Sequence, residues 1–184
     1  MTASLLDHLG IETVALGGTG LGGTVTLRAA LHHPHRVRTA IVIGVEDIDD
    51  DQAKQDEAAF LDAFAARVLS DGIEAAWAPI LDQFPPVVGA VVREAIPRSD
   101  PASIAAAAHI GHDRAFRDVG DLAAIRSPTL VIPGTDPRHP TETAEQVARV
   151  LQDGHLAPVS ISADLLSLED LAPAIRAFLN GARL

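Results

Sequence analysis

The chain has no cysteine and no tyrosine, a single tryptophan and a single methionine in 184 residues. Without cysteine there is no disulfide, no thiolate zinc site and no cysteine nucleophile; a metal would have to be held by histidine and carboxylate. Aromatic residues make up 3% of the chain, too few for the stacking platforms that bind sugars or bases. Positive charge is scarce too. Lys54 is the one lysine, and lysine and arginine together number 14 against 25 acidic residues, for a formal charge of −11. No basic stripe offsets that balance, so nucleic acid and anionic membrane are not expected as partners. Long apolar runs are also missing, and residues 1–20 lack the basic start and cleavage pattern of a secretory leader. A cytoplasmic protein is the default expectation. The chain does have 47% apolar residues, enough for a sizeable core and too many for a disordered segment.

The pattern along the chain alternates. Leu5, Leu6 and Leu9 begin a helix that Gly10 stops. Residues 12–17 (ETVALG) read as a buried strand, 22–34 as a helix closed by Pro34, and 36–44 (RVRTAIVIG) as a second, branched strand. From Asp49 to about Asp121 the pattern is helical. Asp51 is expected to cap a helix reaching Leu69, with Phe60, Leu61, Phe64 and Val68 on one face. Residues 128–134 (PTLVIPG) read as a third strand and 141–154 as a helix with a glycine stop. Residues 156–162 (LAPVSIS) read as a fourth, edge strand, and a last helix closes the chain. The order predicts an α/β fold: one domain over 1–184, a parallel sheet of about four strands, and a helical insertion over 46–121.

The segment Gly18-Thr19-Gly20-Leu21-Gly22-Gly23 sits between the first strand and its helix, and two chemistries use such a turn. As G-x-G-x-x-G (Gly18, Gly20, Gly23) it fits a pyrophosphate cradle, with Glu46 and Asp47 near the end of the next strand for a ribose. As a nucleophile elbow, G-x-S-x-G, it would raise a reactive side chain above the sheet. Residues 5–44, the HPHRV segment (34–37 preceded by His33), the stretch LAAIRSPTLVIPGTDPRHP and the late AIRAFL resemble the α/β-hydrolase superfamily in the right order. That resemblance implies the elbow, places its peak at Gly20, puts the helical insertion where that family carries a lid, and puts a catalytic acid at Asp136.

It also implies departures. Gly20 has no nucleophile; Thr19 stands one residue away and would need a shifted elbow. The family's histidine belongs near Ser160–Ala163, yet no histidine follows His155. The candidates for chemistry are therefore Asp136, Thr19 and His139, with Gly18, Thr19, Gly20, Leu21 and Gly22 as an elbow, oxyanion or ligand-binding loop. The resemblance further implies strands before the elbow that this chain does not contain, including one oxyanion donor. The strand at 12–17 would then be an open edge, expected to be covered by a second copy in a homodimer; a separately encoded half or a longer parent chain are the alternatives.

The remaining polar groups read blandly. His109 and His112, followed by Asp113, are expected to be exposed histidines of the insertion. His32, His33 and His35 are expected to surround a helix end, and Glu46, Asp47, Asp49, Asp50 and Asp51 to form a solvated linker and cap. Arg138 and His139 suit a surface turn, and Trp77, Phe84, Pro85 and Pro86 suit packing. No metal and no cofactor are expected. Three functions stay open: a non-hydrolytic ligand-binding or assembly protein, a noncanonical enzyme (hydrolase, lyase or cyclase-like) organised by Asp136, His139 and the elbow N–H groups, and nucleotide binding at the glycines.

Overall fold

A computed structural model of the chain describes residues 2–46, 48, 51–137 and 139–181. Asp47, Asp49, Asp50 and Arg138, all considered above, lie outside the described residues. The chain divides into two compact units. One comprises residues 1–48, 115–162 and 168–184, the other residues 49–114 and 163–167.

The first unit holds a parallel sheet of four strands in the order β1-β2-β3-β4: Val14–Thr19, Val37–Ile43, Thr129–Ile132 and Gly154–Leu156. Around it lie α1 (Thr2–His8), α2 (Leu21–His32), α7 (Thr141–Val150) and α8 (Ala172–Gly181). The two central strands are apolar runs buried almost throughout, as parallel strands covered on both faces must be. β1 alternates between half-buried and exposed residues and pairs, among the described residues, only with β2. Leu27, Val37, Val42, Leu122, Ile125 and Val147 lead the core, each at most 2% exposed.

Three buried hydroxyls donate to backbone carbonyls. Thr26 donates to the Gly22 carbonyl at 2.8 Å, Ser127 to Val37 at 2.6 Å and Thr129 to Ser127 at 2.8 Å. Strand registers pair Thr19 with Ile43 and Ile43 with Ile132. The C-terminal ends of β1, β2 and β3 therefore stand side by side, and the loops leaving them open onto one edge.

Several expectations need correction. The first strand starts two residues later than 12 and runs on to Thr19, so the glycine turn begins at Gly20 rather than Gly18. The fourth strand is Gly154–Leu156, ahead of the expected 156–162. Pro158 has no N–H to continue a ladder, and only the Gly134–Ile161 bridge survives beyond it. Phe60 is 38% exposed, a helical position away from the stripe of Leu61, Phe64 and Val68.

The second unit is built from α3 (Asp51–Asp71), α4 (Ile73–Leu81), α5 (Pro86–Ala95) and α6 (Pro101–Ala108), followed by a 3₁₀ turn at His109–His112. Asp51 is the first helical residue of α3 rather than a residue before it. Pro86 and Pro101 open their helices, where a missing N–H costs nothing, and Asp100 caps α6 by accepting the Ser103 N–H at 2.8 Å. Val68, Ile73, Ala76, Ile96 and Ala105 form its core. Trp77 packs edge-on to Phe64 at 5.1 Å and against Phe84 at 6.2 Å, the packing role its sequence context suggested. Residues 115–121, expected with the insertion, group with the sheet, where Phe116 is 2% exposed.

One glycine fixes how tightly β1 turns into α2. A Cβ on Gly18 would stand 2.3 Å from the Gly22 carbonyl carbon and oxygen, backbone that cannot yield, whereas one on Gly22 meets nothing within 4 Å. Gly18→Ala should lower the unfolding free energy by about 1–3 kcal/mol or more. Gly22→Ala should leave it unchanged or raise it by up to about 1 kcal/mol. Urea denaturation of the two variants measures the contrast.

Candidate active site

Gly20 is the peak of the turn between β1 and α2. Its φ of 53° and ψ of −123° lie in territory that a residue with a side chain enters only under strain. Its N–H is bonded to the Ile43 carbonyl at 2.9 Å, and its own carbonyl accepts from Gly23 and Thr24, which starts the helix. The sharp strand-to-helix turn read from the sequence is therefore present, with its positive-φ residue at Gly20. Thr19, the last residue of β1, is exposed, and its hydroxyl makes no hydrogen bond among the described residues.

The space above Gly20 belongs to Glu46. A Cβ built on Gly20 would lie 3.1 Å from Glu46 Oε1 and 3.3 Å from its carboxyl carbon. The loop after β2 is tied down for this. Gly44 turns it at φ 64°, and the Thr24 hydroxyl, on a side chain 2% exposed, donates to the Glu46 carbonyl at 3.1 Å. The Glu46 carboxylate thus sits beside the amino terminus of α2, where the helix dipole favours negative charge.

The third contribution comes from the loop after β3. Asp136 accepts the backbone N–H of His139 at 3.1 Å and receives its ring Nδ1 at 3.0 and 3.1 Å. The other ring nitrogen, Nε2, reaches Glu46 Oε2 at 3.2 Å. The side chain of His139 is 19% exposed, those of Glu46 and Asp136 27% and 25%. Two glycines make room for the ring. A Cβ on Gly44 would stand 3.0 Å from His139 Cδ2, and one on Gly134 only 2.4 Å from His139 Cβ. Thr141 closes the loop by donating to the Gly134 carbonyl at 2.8 Å.

Burial by itself would push the His139 pKa down. The hydrogen bonds to Glu46 and then Asp136, with the charges of both carboxylates, outweigh it and hold the pKa above the ordinary histidine value of 6.5. Once protonated, the ring can donate at both ends, so this setting favours the cation more than water does. Asp136, His139 and the elbow glycines, all expected at the site, are brought together. Glu46, read as linker or ribose ligand, is the member that the sequence did not assign to this cluster. Its partner is 93 positions away, and only its place after a strand of the same sheet could have pointed to it. The arrangement sits poorly with a pyrophosphate at the glycines, because a carboxylate already lies against Gly20. The strand order also has no reversal among the described strands to open the usual crevice.

A raised folded-state pKa contributes stability in full below the unfolded value near 6.5, and that contribution fades as pH rises through the folded value. His139→Gln should therefore cost most stability near pH 5.5 and least near pH 8.5. Denaturant titrations of both chains at the two pH values test this; a gap that is constant or widens with pH contradicts it.

The profile of the α/β-hydrolase fold family matches residues 1–84. The homoserine O-acetyltransferases of two Thermus thermophilus strains are 49% identical over 41 residues, which is 22% of this chain and 11% of theirs. The matched part thus spans about a tenth of those curated relatives. Among solved structures, a thermophilic esterase from Thermogutta terrifontis, solved with malate bound, superposes with a TM-score of 0.79 at 26% identity, over 100% of this chain and 71% of that one. MenH from S. aureus gives a TM-score of 0.79 at 20% identity, over 98% of this chain and 73% of its own. The enol-lactonase from Burkholderia xenovorans LB400 gives 0.70 at 17%, over 98% and 68%. No helix among the described residues is long and apolar enough to cross a membrane. A parallel sheet, a sharp positive-φ elbow at the end of one strand and an acid-bearing loop at the end of another agree with these likenesses: the chain has the α/β-hydrolase fold, and its first 84 residues match that family's profile.

Proposed function

We propose that this α/β-hydrolase-fold chain does not perform serine-hydrolase catalysis and serves instead as a ligand-binding or assembly protein. One observation carries the reading: at the peak of the elbow stands Gly20, and the volume a nucleophile would fill is taken by the Glu46 carboxylate. A hydroxyl nucleophile needs a base within hydrogen-bond reach. His139 faces this point, but both of its ring nitrogens are engaged by carboxylates of the chain itself. A serine at position 20 would meet Glu46 before it met the imidazole. The polar groups a ligand could address here are the Leu21 and Gly22 N–H groups in the first turn of α2.

A second reading is favoured by the raised His139 pKa alone. An imidazole that bridges two carboxylates, with its pKa raised by their hydrogen bonds and charge, is placed to carry a proton in lyase- or cyclase-like chemistry without a covalent intermediate. Turnover of any non-ester substrate that is lost in His139→Gln, with the fold intact by circular dichroism, would select it.

For assembly, we propose that a second copy covers β1. The support is the open edge of that strand together with exposed apolar side chains on and beside its neighbouring helices: Leu5 and Leu9, each 56% exposed, and Val25, 45% exposed. Light scattering on the eluting protein should give twice the 19.2 kDa chain mass; a stable monomer overturns the dimer.

The catalytic part has its own test. The wild-type chain should neither react with a fluorophosphonate probe nor turn over p-nitrophenyl acetate. Gly20→Ser alone should also stay unlabelled, since Glu46 still holds His139. Gly20→Ser combined with Glu46→Ala frees the imidazole for the new hydroxyl and should label slowly, despite backbone strain of about 1–3 kcal/mol. Labelling of the wild type, or esterase activity lost in Thr19→Ala, overturns the proposal.

A further inference from the structure

The helical unit brings together three side chains that the sequence keeps apart. His109 and His112 occupy the two ends of a 3₁₀ turn. Three residues per turn place i and i+3 directly over one another, so both imidazoles leave on the same side, with ring centroids 6.1 Å apart. Between them lies Gly111, which is buried. A Cβ there would strike Leu61 Cδ1 at 2.9 Å and approach the Ala58 Cα at 3.2 Å, so this turn is pressed directly onto α3. The next residue of α3, Asp62, is thereby delivered to the histidines from fifty positions away, and its Oδ1 meets His112 Nε2 at 2.9 Å. The three donor atoms lie within 4.8 Å of one another.

We propose that Asp62, His109 and His112 bind one divalent transition-metal ion, zinc being the ion tested. The sequence alone offered only a histidine pair, for which no metal was expected; the carboxylate from α3 is what changes the reading. Two imidazoles and a carboxylate suit zinc, cobalt or nickel, and with no thiolate available the remaining coordination positions fall to water. Ligand atoms around a tetrahedral zinc are about 3.4 Å apart, given bonds of about 2.1 Å. Closing from the present spread needs only side-chain rotation, and the freedom for it exists: Asp62 and His112 are each about half exposed. The existing Asp62–His112 contact shows which nitrogen of His112 faces the site. With both histidines on the turn and the carboxylate on α3, a bound ion would clip the two elements together within this unit.

Calorimetric titration of ZnCl2 into the full chain, after EDTA treatment and exchange, should show one saturable site per chain. His109→Ala and His112→Ala should each weaken it by tenfold or more, as expected for loss of a direct ligand. Asp62→Asn should weaken it as well. His112→Gln retains a hydrogen-bonding partner for Asp62 while removing the imidazole, and should bind as poorly as His112→Ala. The cluster His32, His33 and His35 is the internal control, and its triple alanine variant should bind like wild type. In cobalt-loaded protein, the visible d–d absorption should disappear in the His109 and His112 variants and persist in the control. No saturable zinc site, affinity unchanged in both histidine variants, or binding that follows His32, His33 and His35 would overturn the proposal.

Discussion

One imidazole held between two carboxylates organises the upper edge of the sheet. His139 hydrogen-bonds Asp136 through Nδ1 and Glu46 through Nε2, and each of these three residues rides on a loop that leaves the C-terminal end of a parallel strand. The strand order is what makes this possible. Because β1, β2 and β3 are neighbours in sequence order, Gly20, Glu46 and the Asp136–His139 loop open side by side. The ring itself is admitted because Gly44 and Gly134 have no side chains at the points where it passes. A methyl group at either position would force the imidazole off its partners.

The same cluster explains why an elbow can persist without a side chain at its peak. In a hydrolase the strained residue is kept because it aims a nucleophile. With glycine at position 20 the positive φ carries almost no strain, and the space above it becomes available to a neighbouring loop. Glu46 takes it. Its carboxylate gains the amino terminus of α2 on one side and a charged imidazole on the other, both of which lessen the cost of partial burial. On the function proposed above, the scaffold is retained while its active point is filled from within the chain.

Much of the fold was legible in the sequence. The two central strands announce themselves as branched apolar runs, Arg36–Gly44 and Pro128–Gly134, and the elbow is marked by glycines between a strand and a small-residue helix. The fourth strand was misplaced because apolar residues on both sides of Pro158 look alike in sequence, while the ladder depends on N–H groups that proline lacks. Phe60 was assigned to the buried face because aromatic character is visible and a rotation of one helical position is not. The cluster was legible in halves. Asp136 and His139 are three residues apart and stood out together. Glu46 did not, since an acidic residue in an acidic run reads as solvent-facing, and its contact with His139 is created only by strand pairing. Asp62 escaped notice for the same reason: the tight approach at Gly111, not any spacing, carries it to His109 and His112.

The central claim is that Glu46 occupies the nucleophile's place and holds the imidazole there. The most direct measurement is an NMR titration of the His139 ring in the wild-type chain and in Glu46→Gln. A wild-type ring that stays protonated on both nitrogens above pH 6.5, with a pKa that falls when Glu46 is neutralised, is the predicted result. An identical titration in the two chains would mean that the carboxylate does not hold the ring, and would contradict the account.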